Sequence, residues 1–369
     1  MLLGSPEKEP EDLCTAGDFG KPGEDKYSFG SIVQNGKDVP VIVDSNGNVV
    51  HTGKFVGKYD IDPAKNTRVA VFPFNSITLK KGQTIDANPK GVSGLTSPVA
   101  LLSRGPVNIS GSIRLNGQKG EKGGTFAGLQ PPTGNIPGGD GGPGGHEGGK
   151  GENQKDGGEG YGAGGGKGGA AGNPSGGGGG GGFGVTGGNG GSGSQGAAGG
   201  AGGDADPNDI VDRLQGGSGG GAGMANPGYG SGGGGGGGAP QIGSCKEINI
   251  DGNVSVNGGE GGPGDLGAGG GGSGGAVVLH APKISISGSV DAKGGPGGAS
   301  APADEAGGGG GGGKVAVITV PGGFNAGDQK NIHLGGGQQG SKNAANGNDG
   351  VVTQSTDLAK KCKCPPAKN

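Results

Sequence analysis

At 369 residues the chain is long enough for two or three ordinary domains. Yet 107 glycines, with 28% hydrophobic and 3% aromatic content, exclude a set of large side-chain cores. The net charge of −3 and pI near 5.8, with lysines and acids interleaved from Lys119 to Glu159, leave no basic stripe for a phosphate backbone. Nucleic acid is therefore not an expected partner, and because no stretch approaches the roughly 18 apolar residues of a membrane span, none is expected.

Residues 1–30 are polar and rich in Gly, Pro and Glu, and read as an arm. Met1-Leu2-Leu3 is too short for a signal sequence, which leaves a trimmed chain or another export route. From Ser31 the character changes. Ile32-Val33, Val39-Pro-Val-Ile-Val43, the Asn46-Gly47 turn signal and Val49-Val50 predict a β cap over 31–68. Such a cap would cover the open end of a repeat architecture.

A repeat follows, expected to fill residues 69–356. Val107-x-Ile109-x-Gly111-x-Ile113-x-Leu115 matches Ile248-x-Ile250-x-Gly252-x-Val254-x-Val256 and Ile284-x-Ile286-x-Gly288-x-Val290-x-Ala292. The five marked positions share one period-2 phase, so they face one side, with an inward glycine to bend the strand at a corner. Ile77-x-Leu79 and Ile332-x-Leu334 are imperfect first and last copies, and most copies follow a short strand such as Val99-Ala-Leu-Leu102. The fold expected is all-β: a parallel β-helix of roughly five turns, each burying its inward row on the turn below.

Excursions leave the repeat at one fixed point, after Asn116, Asn257, Lys293 and Leu334. The largest spans 117–240. Runs of seven glycines occupy Gly176 to Gly182, Gly232 to Gly238 and Gly307 to Gly313. Such runs are poor helix or strand, which leaves flexible linkers or extended polyglycine-II-like rods with three residues per turn. Because the runs stop where strands start, as at Lys314-Val-Ala-Val-Ile-Thr-Val320, rods are the expectation. Each would reach about 22 Å at 3.1 Å per residue, and rods leaving from one place would stack side by side. Within the large excursion, Asp206, Pro207 and the face Ile210, Val211, Leu214 predict a helix that Gly216 ends.

Cys14, Cys245, Cys362 and Cys364 are even in number and far apart, with two in the tail 357–369. Disulfides tying the ends to the middle are preferred over free thiols or zinc, and they point to an extracellular or cell-surface chain. Asn108-Ile-Ser110 and Asn253-Val-Ser255 are glycan acceptors in a eukaryotic secretory path. Tyr161, Phe183 and Tyr229 interrupt glycine tracts and are candidates to stack on sugars or anchor an interface. The competing reading is that they cap rod ends.

Residues 274–298, Gly-Gly-Ala-Val-Val-Leu-His-Ala-Pro-Lys-Ile-Ser-Ile-Ser-Gly-Ser-Val-Asp-Ala-Lys-Gly-Gly-Pro-Gly-Gly, resemble the repeat unit of glycine-rich parallel β-helix proteins of microbial surfaces. The glycine runs are also similar to the polyglycine-II bundles of phage tail-tip adhesins and springtail antifreeze proteins. These resemblances imply adhesion, filament building or ice binding, and carry over no catalytic residue.

Motifs of chemistry are composition effects. Every Gly-Lys, at Lys21, Lys37, Lys54, Lys58, Lys150, Lys167 and Lys314, lacks the Ser or Thr a phosphate-binding loop needs. Ser218 and Ser273 sit in formal G-x-S-x-G matches inside glycine tracts, without a strand-to-helix context. His146-Glu147 has no second histidine at helical spacing, and Asp140, Asp265 and Asp349 recur at no common interval for calcium. No enzyme, metal or cofactor is expected. The expectation is an extracellular structural subunit of a filament, sheath or matrix that self-assembles by backbone pairing, with a glycan- or receptor-binding adhesin, then an ice-binding protein, as alternatives.

Overall fold

The computed structural model describes residues 26–57, 68–87, 91–124, 135–171, 175–193, 197–301 and 303–358. Among the described residues twenty short strands form three sheets, and nearly all pairing beyond the N-terminal cap is parallel. The cap consists of β1 (Lys26–Gln34), β2 (Lys37–Asp44), β3 (Val49–Thr52) and β4 (Lys54–Val56). The chain then makes successive rounds of three strands, with β8 (Ser93–Gly94) pairing back onto β1. The rounds are β5 (Val69–Phe74), β6 (Ile77–Leu79), β7 (Thr84–Asp86), then β9 (Val99–Ser103), β10 (Val107–Ile109), β11 (Ser112–Arg114). The third is β12 (Pro240–Ser244), β13 (Glu247–Ile250), β14 (Asn253–Ser255), and the fourth β15 (Ala276–His280), β16 (Lys283–Ile286), β17 (Ser289–Asp291). The fifth comprises β18 (Lys314–Ile318) and β19 (Ile332–His333), and β20 (Val351–Ser355) follows as the next first strand, paired with β18.

First strands of the rounds, with β4 of the cap at one edge and β20 at the other, make a seven-stranded sheet; second strands make a four-stranded one; third strands, with β1, β2, β3 and β8, make a nine-stranded one. Register fixes side-chain rows. Ile77, Val107, Ile248 and Ile284 align, as do Ile85, Ile113, Val254, Val290 and Ile332, and all lie in one core between the sheets. Each fully buried aliphatic contributes about 1.5–3 kcal/mol. That core begins earlier than the arm-to-cap boundary read at residue 30: Tyr27 and Phe29 of β1 are buried in it, Phe29 with its ring 5.5 Å from that of Phe72.

The repeat glycines do sit at corners, for a reason different from the one expected. Ser110 and Gly111 both donate to the Leu79 carbonyl, Asp251 and Gly252 to that of Ile109, and Ser287 and Gly288 to that of Ile250. A Cβ on Gly252 would lie 1.9 Å from the Gly111 carbonyl oxygen, and one on Gly288 1.9 Å from that of Gly252. The missing side chain thus clears the preceding round of the stack; it is not space left in the core.

Beside the seven-stranded sheet the glycine segments form a hydrogen-bonded lattice. In Gly232 to Gly238, the N–H groups of residues 232, 235 and 238 donate to Glu121, Gln118 and Leu115. Those of 233 and 236 go to Gly149 and His146, and those of 234 and 237 to Gly270 and Ser273. The carbonyls of 232 and 235 accept from Gly262 and Gly259, of 233 and 236 from Gly139 and Gly142, and of 234 and 237 from Gly220 and Gly217. Six neighbours therefore surround one rod, and each contact advances three residues at a time. Gly307 to Gly313 is surrounded in the same way, and its contacts with Gly178 and Gly181 run parallel. Adding a Cβ at most positions inside places it near 2 Å from a carbonyl, as at Gly235, 2.0 Å from Asp140 O. Only glycine permits this spacing.

The segment read as a helix at 206–215 is a single turn. Asp206 and Asp209 use their carboxylates locally, accepting from the N–H groups of Asn208 and Val211 at 2.8 and 2.9 Å, which favours turns over helix propagation. Ile210 and Val211 pack instead on Ala276, Val278, Ala316 and Ile318, the outer face of the seven-stranded sheet.

Candidate assembly surface

Two faces of the stack carry polar side chains in register. On the four-stranded sheet the row is Thr78, Asn108, Asn249 and Ser285, with Asn249 Nδ2 donating to Asn108 Oδ1 at 3.0 Å. On the nine-stranded sheet Arg114 pairs with both oxygens of Asp86, at 2.9 and 3.0 Å. Two rounds on, Asp291 Oδ1 receives Lys293 Nζ and His333 Nδ1, each at 2.9 Å, and its Oδ2 receives Ser289 Oγ at 3.0 Å and Asn253 Nδ2 at 2.6 Å. Burial works to raise the Asp291 pKa, but the hydrogen bonds from Lys293, His333 and Ser289 outweigh it and hold the carboxyl below its ordinary range. Asp86 and Asp291 are both satisfied by fixed partners, so the ladder is built for cohesion between rounds. Among the described residues no cluster of three His, Cys, Asp or Glu side chains could hold a metal ion.

The residues singled out from sequence are not brought together. Phe183 and Tyr229 are 1% and 6% exposed, so neither offers a ring to a ligand. Phe183 closes the end of the 176–182 rod under the Lys314 ammonium, 5.1 Å from its ring centre, while Tyr229 bridges by its backbone to Gly124 and Asn153. Tyr161 is 52% exposed at the far side of the lattice. Asn108 and Asn253 point outward, but each is engaged in the ladders above, Asn253 through the amide nitrogen a glycan would occupy. Cys14, Cys362 and Cys364 lie outside the described residues; Cys245 sits half-buried at the bend between β12 and β13. Ser218 and Ser273 are buried facing each other, Ser218 N donating to Ser273 Oγ at 2.8 Å and Ser273 Oγ returning to Ser218 O at 3.3 Å, a cross-link between rods.

His280 and Glu305 are buried ionisable groups outside these ladders. His280 lies over Gly243, where a Cβ would come within 2.2 Å of its ring, and its Nε2 meets Gln241 Nε2 at 2.8 Å. With the amide donating, the imidazole is neutral, and burial depresses its pKa to about 4. Glu305 accepts from Gly267 N at 3.1 Å through one oxygen while the other has no partner. Burial raises its pKa, the Gly267 N–H offsets part of that, and Asp304 adds to it.

The borders of the sheets differ more than their faces. At the C-terminal end the edge of β16 is closed: Ile284 N donates to Gly323 O at 2.8 Å and Ile286 N to Asp328 Oδ2 at 3.2 Å, and Asn331 Nδ2 donates to Ile286 O at 2.5 Å. β19 is only two residues long. β20 is the edge of the seven-stranded sheet and is mostly exposed. Val351 N donates to Gly313 O and Ser355 O accepts from Thr319 N, so the odd residues of β20 turn their backbone groups toward β18. By alternation, those of Val352 and Gln354 point outward, a ready template for another strand. Nothing local in the sequence marks Asp328 and Asn331 as edge caps; Val351-Val352-Thr353, by contrast, is a legible β-branched run.

No helix among the described residues is long and apolar enough to cross a membrane. No protein family, curated protein or solved structure matches the chain.

Proposed function

We propose that this chain is an extracellular structural protein, a subunit of a filament, sheath or matrix, whose copies join by backbone pairing at β20. In this reading the three sheets are one β-solenoid and the glycine segments a polyglycine-II-like lattice that stiffens one side of it. The observation that carries the proposal is the contrast between a capped β16 border and a β20 border uncapped among the described residues, on a body where Asp86 and Asp291 are engaged in cohesion between rounds. A neighbouring copy adds a strand against the outward groups of Val352 and Gln354.

Gln354→Pro tests this directly. It removes an outward N–H while leaving the ladder to β18 intact, and the exposed side chain costs little packing. Wild type should associate with rising concentration in sedimentation equilibrium, and the variant should not. A wild type that stays monomeric at millimolar concentration, or a variant that associates equally well, contradicts the proposal.

A second reading, a glycan-binding adhesin, draws on Tyr161, the one exposed ring among the three aromatic candidates. Glycan-array binding abolished by Tyr161→Ala would favour it; binding unchanged by that substitution, or none at all, would remove it.

A further inference from the structure

The lattice has a direction across its rods as well as along them. In the layer that continues the nine-stranded sheet, four rods run side by side and each donates to the next. Gly117 donates to Asn257 O, Gly258 to Lys293 O and Gly294 to Gly335 O, each at 2.9 Å. One step along, Gly120 donates to Glu260 O, Gly261 to Pro296 O and Gly297 to Gln338 O, at 2.9, 2.9 and 2.8 Å. By this register the last rod should donate from Gly336 and Gln339 to a fifth rod that the chain does not contain. Both donors are instead taken by side chains, Gly336 N by Asp349 Oδ1 at 3.0 Å and Gln339 N by Asn346 Oδ1 at 2.8 Å.

The second layer explains how those side chains come to be there. Its rods also donate in sequence: Gly234 to Gly270, Gly271 to Gly308 and Gly309 to Ala345, then Gly237 to Ser273, Gly274 to Gly311 and Gly312 to Asn348. The next positions in the two series are Asn346 and Asp349. In the inner rods these positions are all glycine, and a Cβ there would strike the following first-layer rod: 2.1 Å from Gly295 O at Gly271, 1.9 Å from Gly337 O at Gly309, 2.0 Å from Leu334 O at Gly312. At Asn346 and Asp349 the same direction leads to the place of the absent fifth rod. Side chains appear in the series where a neighbour ceases to exist, and each carries an oxygen at carbonyl distance from the orphaned N–H.

We infer that Asn346 and Asp349 terminate the glycine lattice, occupying the site at which a second copy of this chain would otherwise dock its first rod. That rod's carbonyls at Asn116 and Lys119 hold the matching register and have no partner among the described residues. Docking them on Gly336 and Gln339 would be head-to-tail and non-closing, which produces open fibres. The two side chains therefore close the last rod to backbone pairing between copies and leave β20 open to it, and in that respect the inference rests on the assembly proposed above.

The test uses the full chain carrying Gln354→Pro, so that β20 no longer contributes. Adding Asn346→Gly and Asp349→Gly makes the last rod match those before it, and this variant should form open-ended polymers in sedimentation velocity where its parent does not. The exchange Asn346→Asp with Asp349→Asn keeps both acceptors and should leave the parent's behaviour unchanged. Independently of any variant, the amides of Gly336 and Gln339 in the wild-type chain should exchange at least about tenfold slower than free peptide. Three results overturn the inference: free-peptide exchange at both amides, a folded double-glycine variant that sediments like its parent, or polymers formed equally by the acceptor-keeping pair. The exchange result decides the matter even if the double-glycine variant fails to fold, and none of these readouts depends on whether β20 pairs in the wild type.

Discussion

The three-sheet stack and the glycine lattice are two halves of one molecule held by opposite means. In the stack, rows such as Leu79, Ile109, Ile250 and Ile286 bury side chains, and the backbone ladders fix their register. In the lattice there is almost nothing to bury. Each residue contributes a donor and an acceptor, worth about 1 kcal/mol net per bond, against an ordering cost of about 1–2 kcal/mol for the backbone. Even fully paired, a glycine rod is at best near neutral. It becomes ordered because the stack delivers rods at one spacing and in one register, as Gly117, Gly258 and Gly294 show by leaving corresponding points of successive rounds. Side chains specify the stack, and the stack specifies the lattice.

The sharpest way to break the comparison is to add one methyl to the lattice. Gly272→Ala would place a Cβ 2.0 Å from Gly235 O, with main chain on every side and no flexible group to yield. A loss of about 4 kcal/mol or more is expected, the exceptional end of single substitutions. Thermal unfolding of the variant checks it.

A smaller effect should come from acid, acting on the seven-stranded sheet. His280 is neutral in both folded and unfolded chain above about pH 7. As pH falls below 6.5 the unfolded chain takes up a proton that the folded one refuses until about 4. Stability is thus lost across that window, by up to about 3 kcal/mol at 1.36 kcal/mol per unit. His280→Gln should flatten denaturant midpoints measured from pH 7 to pH 4, and equal slopes for both proteins would show that the ring is not buried as described.

Smallest of the three is the removal of one methyl from the stack. Ile250→Val takes a carbon from a fully buried row and should cost about 0.5–1.5 kcal/mol. Its urea midpoint should shift slightly at constant m-value. The ratio between this loss and that of Gly272→Ala measures how differently the two halves tolerate a single carbon.

The sequence made the stack readable because period-2 rows such as Ile248-x-Ile250 and Ile284-x-Ile286 state their own register. The existence of rods was readable too, from glycine runs that end at strand starts. Which rod touches which was not, since glycine carries no side chain to mark a neighbour; Gly178 meets Gly308 across a separation no local pattern encodes. Short polar motifs misled in both directions. Asp206 and Pro207 look like a helix start but serve a turn, and the polar setting of residues 1–30 conceals Tyr27 and Phe29, two of the largest buried side chains. Phe183 and Tyr229 read as candidate ligand contacts because their burial depends on packing that the surrounding glycines do not announce.

Amide exchange on the inner rods tests the central claim most directly. If main-chain pairing holds the lattice rigid, Gly234, Gly271 and Gly309, which lie in three adjacent rods, should be protected to within about 1–2 kcal/mol of β13 and β15. Exchange of those glycines at free-peptide rates, with the strands still protected, would contradict it.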